Sequence, residues 1–203
     1  MKRTSETKIV ATHKLAQRQG VLRARDLTKQ GIPRSYLKRL QDDGKLEKLG
    51  PGLYADANFE PTENHSLAEV CKRVPHGVVC LLSALRFHGL TTQAPFQVWL
   101  AIDVHAWRPK QSTPPIRVVH MGNTAHTVGF EIRQIEGVEV PIFSPAKTVA
   151  DCFKYRNKIG LDVALEALRE FKKSKHFNHD ELWRFAKLCR VANVMRPYLE
   201  AMA

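Results

Sequence analysis

The apolar residues of the first 60 positions recur at two different periods. Ile9, Val10, Leu15 and Ala16 follow one another at roughly helical spacing, and Gly20 closes the run. Thr4 or Ser5 offers a cap at its start, with Glu6 in the first turn. A second short helix is predicted over residues 24–30, carrying Leu27 and closed by Gly31; Arg23 ahead of it is a poor cap. Pro33 then opens a third helix at its first position, where a missing N–H costs nothing, and that helix runs to about Asp43 and stops at Gly44. Beyond Gly44 the pattern changes. Residues 45–49 read as a short strand, Gly50-Pro51-Gly52 as a turn and residues 53–55 as the returning strand. Three short helices followed by a hairpin predict a winged helix-turn-helix over residues 1–58, with Gln30 to Pro33 as the turn.

A linker is predicted near residues 58–63, and the pattern after it is mixed. Helices are expected over 65–74 and 78–88, then strands over 98–102, 116–120, 128–132 and 138–142, with Gly137 turning the last two. Ser144-Pro145 opens a further helix, to about Arg156, with cap and first-turn proline in order. Helices over 161–172 and 179–189 follow, and a last one is broken near Pro197. The order predicts an α+β domain over residues 59–203, a small sheet enclosed by helices, so the whole chain is α+β.

The third helix sets what the first segment can do. Leu37 and Leu40 share one stripe and should face inward, whereas Arg34 with Lys38 and Ser35 with Arg39 fall on the outward side. A recognition helix needs this arrangement, because its N-terminal residues enter the major groove. Arg34 is placed for a bidentate contact to guanine, and Ser35 and Tyr36 for bases or phosphates. Lys38, Arg39 and Lys48 are expected on phosphates, which position without specifying. Pro51 and Gly52 form a tip slim enough to approach the backbone.

Charge strengthens this reading. The 203 residues hold 32 Lys and Arg against 20 Asp and Glu, a net of +12. Residues 1–56 alone hold 13 against 6. A basic excess concentrated in a small segment points to a polyanion, and double-stranded DNA is the expected partner. The 43% hydrophobic content argues against disorder, and no apolar run nears the roughly 18 residues of a membrane span. The basic N-terminus lacks an apolar stretch behind it and does not read as an export signal. Cys71, Cys80, Cys152 and Cys189 form no CxxC pair and are expected as reduced thiols, so the chain is expected in the cytoplasm.

A search for catalytic chemistry yields little. Ser144 and Lys147 match an SxxK pattern, but neither Ser-Asp-Asn nor Lys-Thr-Gly occurs, and Ser144 reads as a helix cap. His176, His179 and Cys189 fit no established metal spacing and lie among lysines. Ser83 and His88 share no helix face well, and His88 reads as a helix-end histidine. No phosphate-binding loop and no acidic nuclease cluster is evident. The expectation is a protein that is not an enzyme and has neither metal nor cofactor.

The order of several short strings resembles the AbiEi-type antitoxins of bacterial type IV toxin–antitoxin systems, which are also transcriptional regulators. In the first segment these are Asp26-Leu27, Gly31-Ile32, Leu37, Leu40, Gly44-Lys45-Leu46 and Gly50-Pro51-Gly52-Leu53-Tyr54. In the second they are Ser83-Ala84-Leu85, His88-Gly89-Leu90 and Val140-Pro141-Ile142, leading to Ser144 through Asp151. Arg23 departs from the Ser or Thr that often caps the second helix in such domains. The resemblance implies a repressor that binds inverted repeats in its own promoter, as a homodimer or as two cooperating monomers. It also implies an antitoxin whose second domain neutralises an AbiEii-type nucleotidyltransferase toxin. A regulator without a toxin partner is the alternative.

Overall fold

The structure is a computed structural model that describes residues 2–110 and 113–202. It divides into two compact units. The first comprises Met1–Pro75 with Ser112–Pro114 and Arg133–Val140; the second comprises His76–Gln111, Pro115–Ile132 and Pro141–Ala203.

The first unit opens with α1 (Lys2–Gln19), which starts upstream of the expected cap. The side chains of Thr4, Ser5 and Glu6 lie outside the described residues. The helix ends at Gly20, which has φ +50 and no room for a side chain: a Cβ there would stand 2.8 Å from that of Glu136. Next comes β1 (Val21–Arg23), a strand too short to show a period in the sequence. Then α2 (Ala24–Lys29) begins, and Asp26 makes up for the poor cap by accepting a 3.1 Å hydrogen bond from the Arg23 amide.

The third helix, α3 (Ser35–Asp42), starts later than the sequence suggests. Pro33 begins a tight turn, its carbonyl accepting from the Tyr36 amide at 3.3 Å, and Arg34 is already helical at φ −63. Strands β2 (Leu46–Gly50) and β3 (Leu53–Asp56) form the expected hairpin. β1 pairs antiparallel with the far side of β3, giving the order β1-β3-β2. Ala16, Leu22, Leu27, Ile32, Leu37, Leu40 and Leu46 form one buried cluster, so the helices and strands of the segment share a core.

Helix α4 (His65–Arg73) belongs to this unit too, although the sequence groups it with the second domain. Polar contacts hold it there. Arg23 Nη1 donates to the Lys72 carbonyl at 3.0 Å, and Lys72 Nζ pairs with Asp26 at 2.7 Å. Glu136 Oε1 accepts from both the amide and the hydroxyl of Thr62 at 2.8 Å, and its other oxygen lies 2.7 Å from His65 Nδ1.

The second unit centres on β4 (Val78–Val79), where the sequence suggested the first turn of a helix. Both valines are buried and pair antiparallel with β5 (Val98–Asp103), while Val79 also pairs parallel with β8 (Val138–Phe143). A short apolar run buried on both sides carries no periodicity to separate strand from helix. Helix α5 (Leu81–Phe87) follows after the turn at Leu81, φ +44. With β6 (Ile116–Met121) parallel to β5 and β7 (Phe130–Ile135) outermost, the order is β6-β5-β4-β8-β7. A short helix, α6 (Asn123–Thr127), precedes β7, and Gly129 at φ +77 delays that strand beyond its expected start.

Helices α7 (Pro145–Lys154), α8 (Arg156–Ile159), α9 (Leu161–Lys173), α10 (His179–Leu188) and α11 (Ala192–Ala201) complete the unit. Helix α7 packs against α5, α9 and α10, in a core where Phe143, Phe153, Leu168 and Phe171 are completely buried. Among the described residues no helix is long and apolar enough to cross a membrane. The chain is a mixed α+β protein with two sheets.

Candidate nucleic-acid interface

Burial splits α3 into two faces. Leu37 and Leu40 are buried in the first unit's core, while Arg34, Ser35, Lys38 and Arg39 are exposed. The helix places these four together along one surface. Arg34 Nε donates to Thr28 Oγ1 at 3.3 Å, which ties its guanidinium across the turn between α2 and α3. Asp42 and Asp43 close the helix; Arg34 stands at its N-cap, where the backbone dipole adds to its field, Lys38 at mid-helix and Arg39 in the last turn.

Tyr36 lies at the edge of this face. It is half-buried and packs against the cluster that holds Ala16, Leu27 and Leu37, so its ring serves the core. Lys48 is exposed on β2 opposite Tyr54, and the pairing shifts register between Lys48 and Gly50. Pro51 is exposed. Gly52 has φ +72, and its carbonyl accepts from the Ala24 amide at 2.9 Å, which pins the hairpin tip to the start of α2. Sequence reasoning passed over Arg25 and Lys29, two further exposed cations on α2. The charge count of the segment included them, but only the backbone shows them to be on the surface. Arg23 is directed elsewhere, toward Lys72; burial, with Arg25 nearby, pushes its pKa below the usual value.

The second unit buries its most conspicuous polar residues. Ser144 caps α7, its Oγ accepting from the Lys147 amide at 3.4 Å. Lys147 Nζ lies 2.5 Å from Asp151 Oδ2 and 4.2 Å from the centre of the Phe143 ring. Cys189 Sγ donates to the other Asp151 oxygen at 3.2 Å. Burial pushes the Asp151 carboxyl upward and Lys147 pulls it back, while burial raises the Cys189 thiol to about 12. Lys147 is therefore committed to Asp151 and is not placed to activate Ser144. His88 Nε2 lies 2.7 Å from the Phe143 carbonyl, and Ser83 Oγ accepts from the Trp99 amide at 2.9 Å, so these two serve different partners. His176 and His179 are exposed whereas Cys189 is buried, so the three do not assemble. Among the described residues no group of three His, Cys, Asp or Glu is placed to hold a metal ion.

A groove of about 830 Å³ runs between α10 and the segment before β7, lined by Val128, Trp183, Phe185 and Leu188 with Arg184 and Lys187. Trp183 is half-buried at its edge. His179 stacks on the ring at 6.3 Å and the Arg196 guanidinium lies 5.6 Å from its centre.

Comparison with known proteins gives a family match and a likeness to solved structures. Residues 13–55, which run from the C-terminal part of α1 into β3 and include every residue of the α3 face, match the family described as "Transcriptional regulator, AbiEi antitoxin". No curated protein matches the chain. Among solved structures, the RV2827C protein from Mycobacterium tuberculosis is similar at a TM-score of 0.59 and 14% identity, over 88% of this chain and 69% of that one. That likeness concerns the fold.

Proposed function

We propose that the first unit is a winged helix that binds double-stranded DNA through α3, and that the chain is an antitoxin that represses its own promoter. The observation that carries this reading is the exposed cationic face of Arg34, Lys38 and Arg39 within the stretch matched by the regulator family. Arg34, with Ser35 beside it, would read base edges in the major groove. Lys38, Arg39, Lys48, Arg25 and Lys29 would hold phosphates, with Pro51 and Gly52 meeting the backbone. In this reading the winged helix of residues 1–58 supplies the regulator, and residues 59–203 neutralise a cognate AbiEii-type nucleotidyltransferase toxin in the cytoplasm. Inverted repeats would engage two copies.

A gel shift on the DNA upstream of the chain's own gene tests the first half. The full chain should retard that duplex at low salt, and Arg34→Ala with Lys38→Ala and Arg39→Ala should do so only at much higher protein concentration; no shift by the unaltered chain overturns it. Co-expression with the neighbouring nucleotidyltransferase tests the second half, with restored growth expected.

One observation favours the second reading, a regulator without a toxin. The family match covers the proposed DNA-binding elements and stops at residue 55. Absence of a nucleotidyltransferase gene beside this one would select it.

A further inference from the structure

The second unit carries an aromatic and cationic surface that the proposed repressor role leaves unused. Trp107 is 94% exposed, an unusual state for a large ring in a free protein. It sits in the segment 104–110, just beyond β5, with exposed His105 and Arg108 and the cation Lys110, and no acidic residue. Backbone contacts hold the start of this segment. The Val104 amide donates to the Met121 carbonyl at 3.0 Å, and the Ala106 amide to the Asp103 carbonyl at 2.9 Å.

A second ring stands at the same end of the β5–β6 pair. Tyr155 Oη donates to the His120 carbonyl at 3.4 Å, and His120 Nδ1 in turn lies 3.4 Å from the Asp103 carbonyl. Lys154 Nζ and Lys158 Nζ lie 5.9 Å and 5.5 Å from the centre of the Tyr155 ring. In the segments 103–110, 120–121 and 154–158 the one acidic side chain is Asp103, whose Oδ1 accepts from the His105 amide at 2.9 Å. Two aromatic rings thus stand at this end of the sheet, and the segments that carry them hold five Lys or Arg residues, of which Arg156 donates to the Phe153 carbonyl at 2.8 Å.

We infer that this surface binds single-stranded nucleic acid, with a base stacked on Trp107 and phosphates held by Arg108, Lys110, Lys154 and Lys158. A nucleotide brings a ring face and an adjacent negative charge in one repeating unit, which suits an open indole flanked by cations. A duplex keeps its bases stacked on one another and offers no face to Trp107. An acidic protein surface would satisfy the cations but leave the indole without a ring to cover it. Trp183 is half-buried, with His179 and Arg196 near its ring, whereas Trp107 is almost fully exposed.

The test uses the full chain carrying Arg34→Ala, Lys38→Ala and Arg39→Ala, so that the proposed duplex-binding face does not contribute. Fluorescence anisotropy of labelled 12-nucleotide oligouridylate and oligothymidylate should show saturable binding at low salt, with tryptophan emission quenched. The arm that binds more tightly tells whether RNA or DNA is preferred. Trp107→Ala should weaken binding roughly tenfold and Trp107→Phe should restore most of it. Lys154→Ala with Lys158→Ala should reduce the slope of log affinity against log salt by about 1.4, at about 0.7 for each phosphate no longer neutralised. Circular dichroism checks that each variant is folded. Binding of neither oligomer, or equal affinity of Trp107→Ala, overturns the inference. Competition by polyglutamate as strong as by unlabelled oligomer does so too, since it would mean an acidic peptide surface as the occupant.

Discussion

Helices α3 and α7 each carry a charged pair four residues apart, and the two units use them in opposite ways. At α3, Arg34 and Lys38 have the same charge and are exposed, so water screens their repulsion. On α7, Lys147 and Asp151 have opposite charges and are completely buried at 2.5 Å, with Phe143 against the ammonium and Cys189 against the carboxylate. Exposed cations cost little stability to keep and are available to a partner. A buried ion pair loses hydration that its mutual attraction barely offsets, and it binds nothing outside. Charge is therefore informative about partners only where the fold leaves it on the surface. The first unit leaves its cations on the surface, while the second closes its ion pair within one helix and links it to Cys189 beyond α10.

The largest effect expected from this contrast is in the second unit. Lys147→Met leaves the Asp151 carboxylate buried alone and should cost about 3–5 kcal/mol in urea unfolding, whereas adding Asp151→Leu should recover most of the loss. Duplex binding should be unchanged wherever the variant is folded. In the first unit, Arg34→Ala should leave the unfolding midpoint nearly unmoved and weaken operator binding by about 1–3 kcal/mol, read by titration. Failure of either half, a folding cost for Arg34→Ala or none for Lys147→Met, would dissolve the distinction.

A smaller effect tests the cap of α7. Ser144→Ala should cost about 1 kcal/mol, because the Lys147 amide loses its acceptor, and it should leave DNA binding intact. The smallest concerns Glu166, whose carboxylate accepts from the Thr92 amide at 2.9 Å and is held below its ordinary pKa by that bond first. The sign follows from linkage. Its stabilisation is complete above the ordinary glutamate range and is lost as pH falls through the lowered value. Glu166→Gln should therefore flatten the acid side of the stability profile slightly, measured by thermal unfolding across pH.

The legibility of the chain follows the same division between surface and interior. The hairpin, α2 and the outward side of α3 could be read because their apolar residues alternate with exposed polar ones. Arg34, Ser35, Lys38 and Arg39 all lie where their spacing from Leu37 and Leu40 placed them. The packing of the Tyr36 ring was less legible, since an aromatic ring at the edge of the apolar stripe can turn partly inward. β1 was hidden by its three-residue length, and β4 by burial on both sides, which removes the alternation that marks a strand. The contacts that hold α4 in the first compact unit were not legible, because those of Arg23, Lys72, Asp26 and Glu136 join residues far apart in the chain. The sequence singled out Lys147 only beside Ser144; its burial against Asp151 was not legible.

The most direct test of the central claim is the salt dependence of duplex binding by the full chain and by the Arg34→Ala, Lys38→Ala, Arg39→Ala variant. If each copy contacts roughly 4–6 phosphates, log affinity should fall against log salt with a slope of about −4 to −5. The variant should bind more weakly, with a slope shallower by about 2, at about 0.9 for each of the two phosphates assigned to Lys38 and Arg39. A slope near zero for the unaltered chain, or the same slope for both proteins, would contradict the assignment of α3 as the DNA-binding surface.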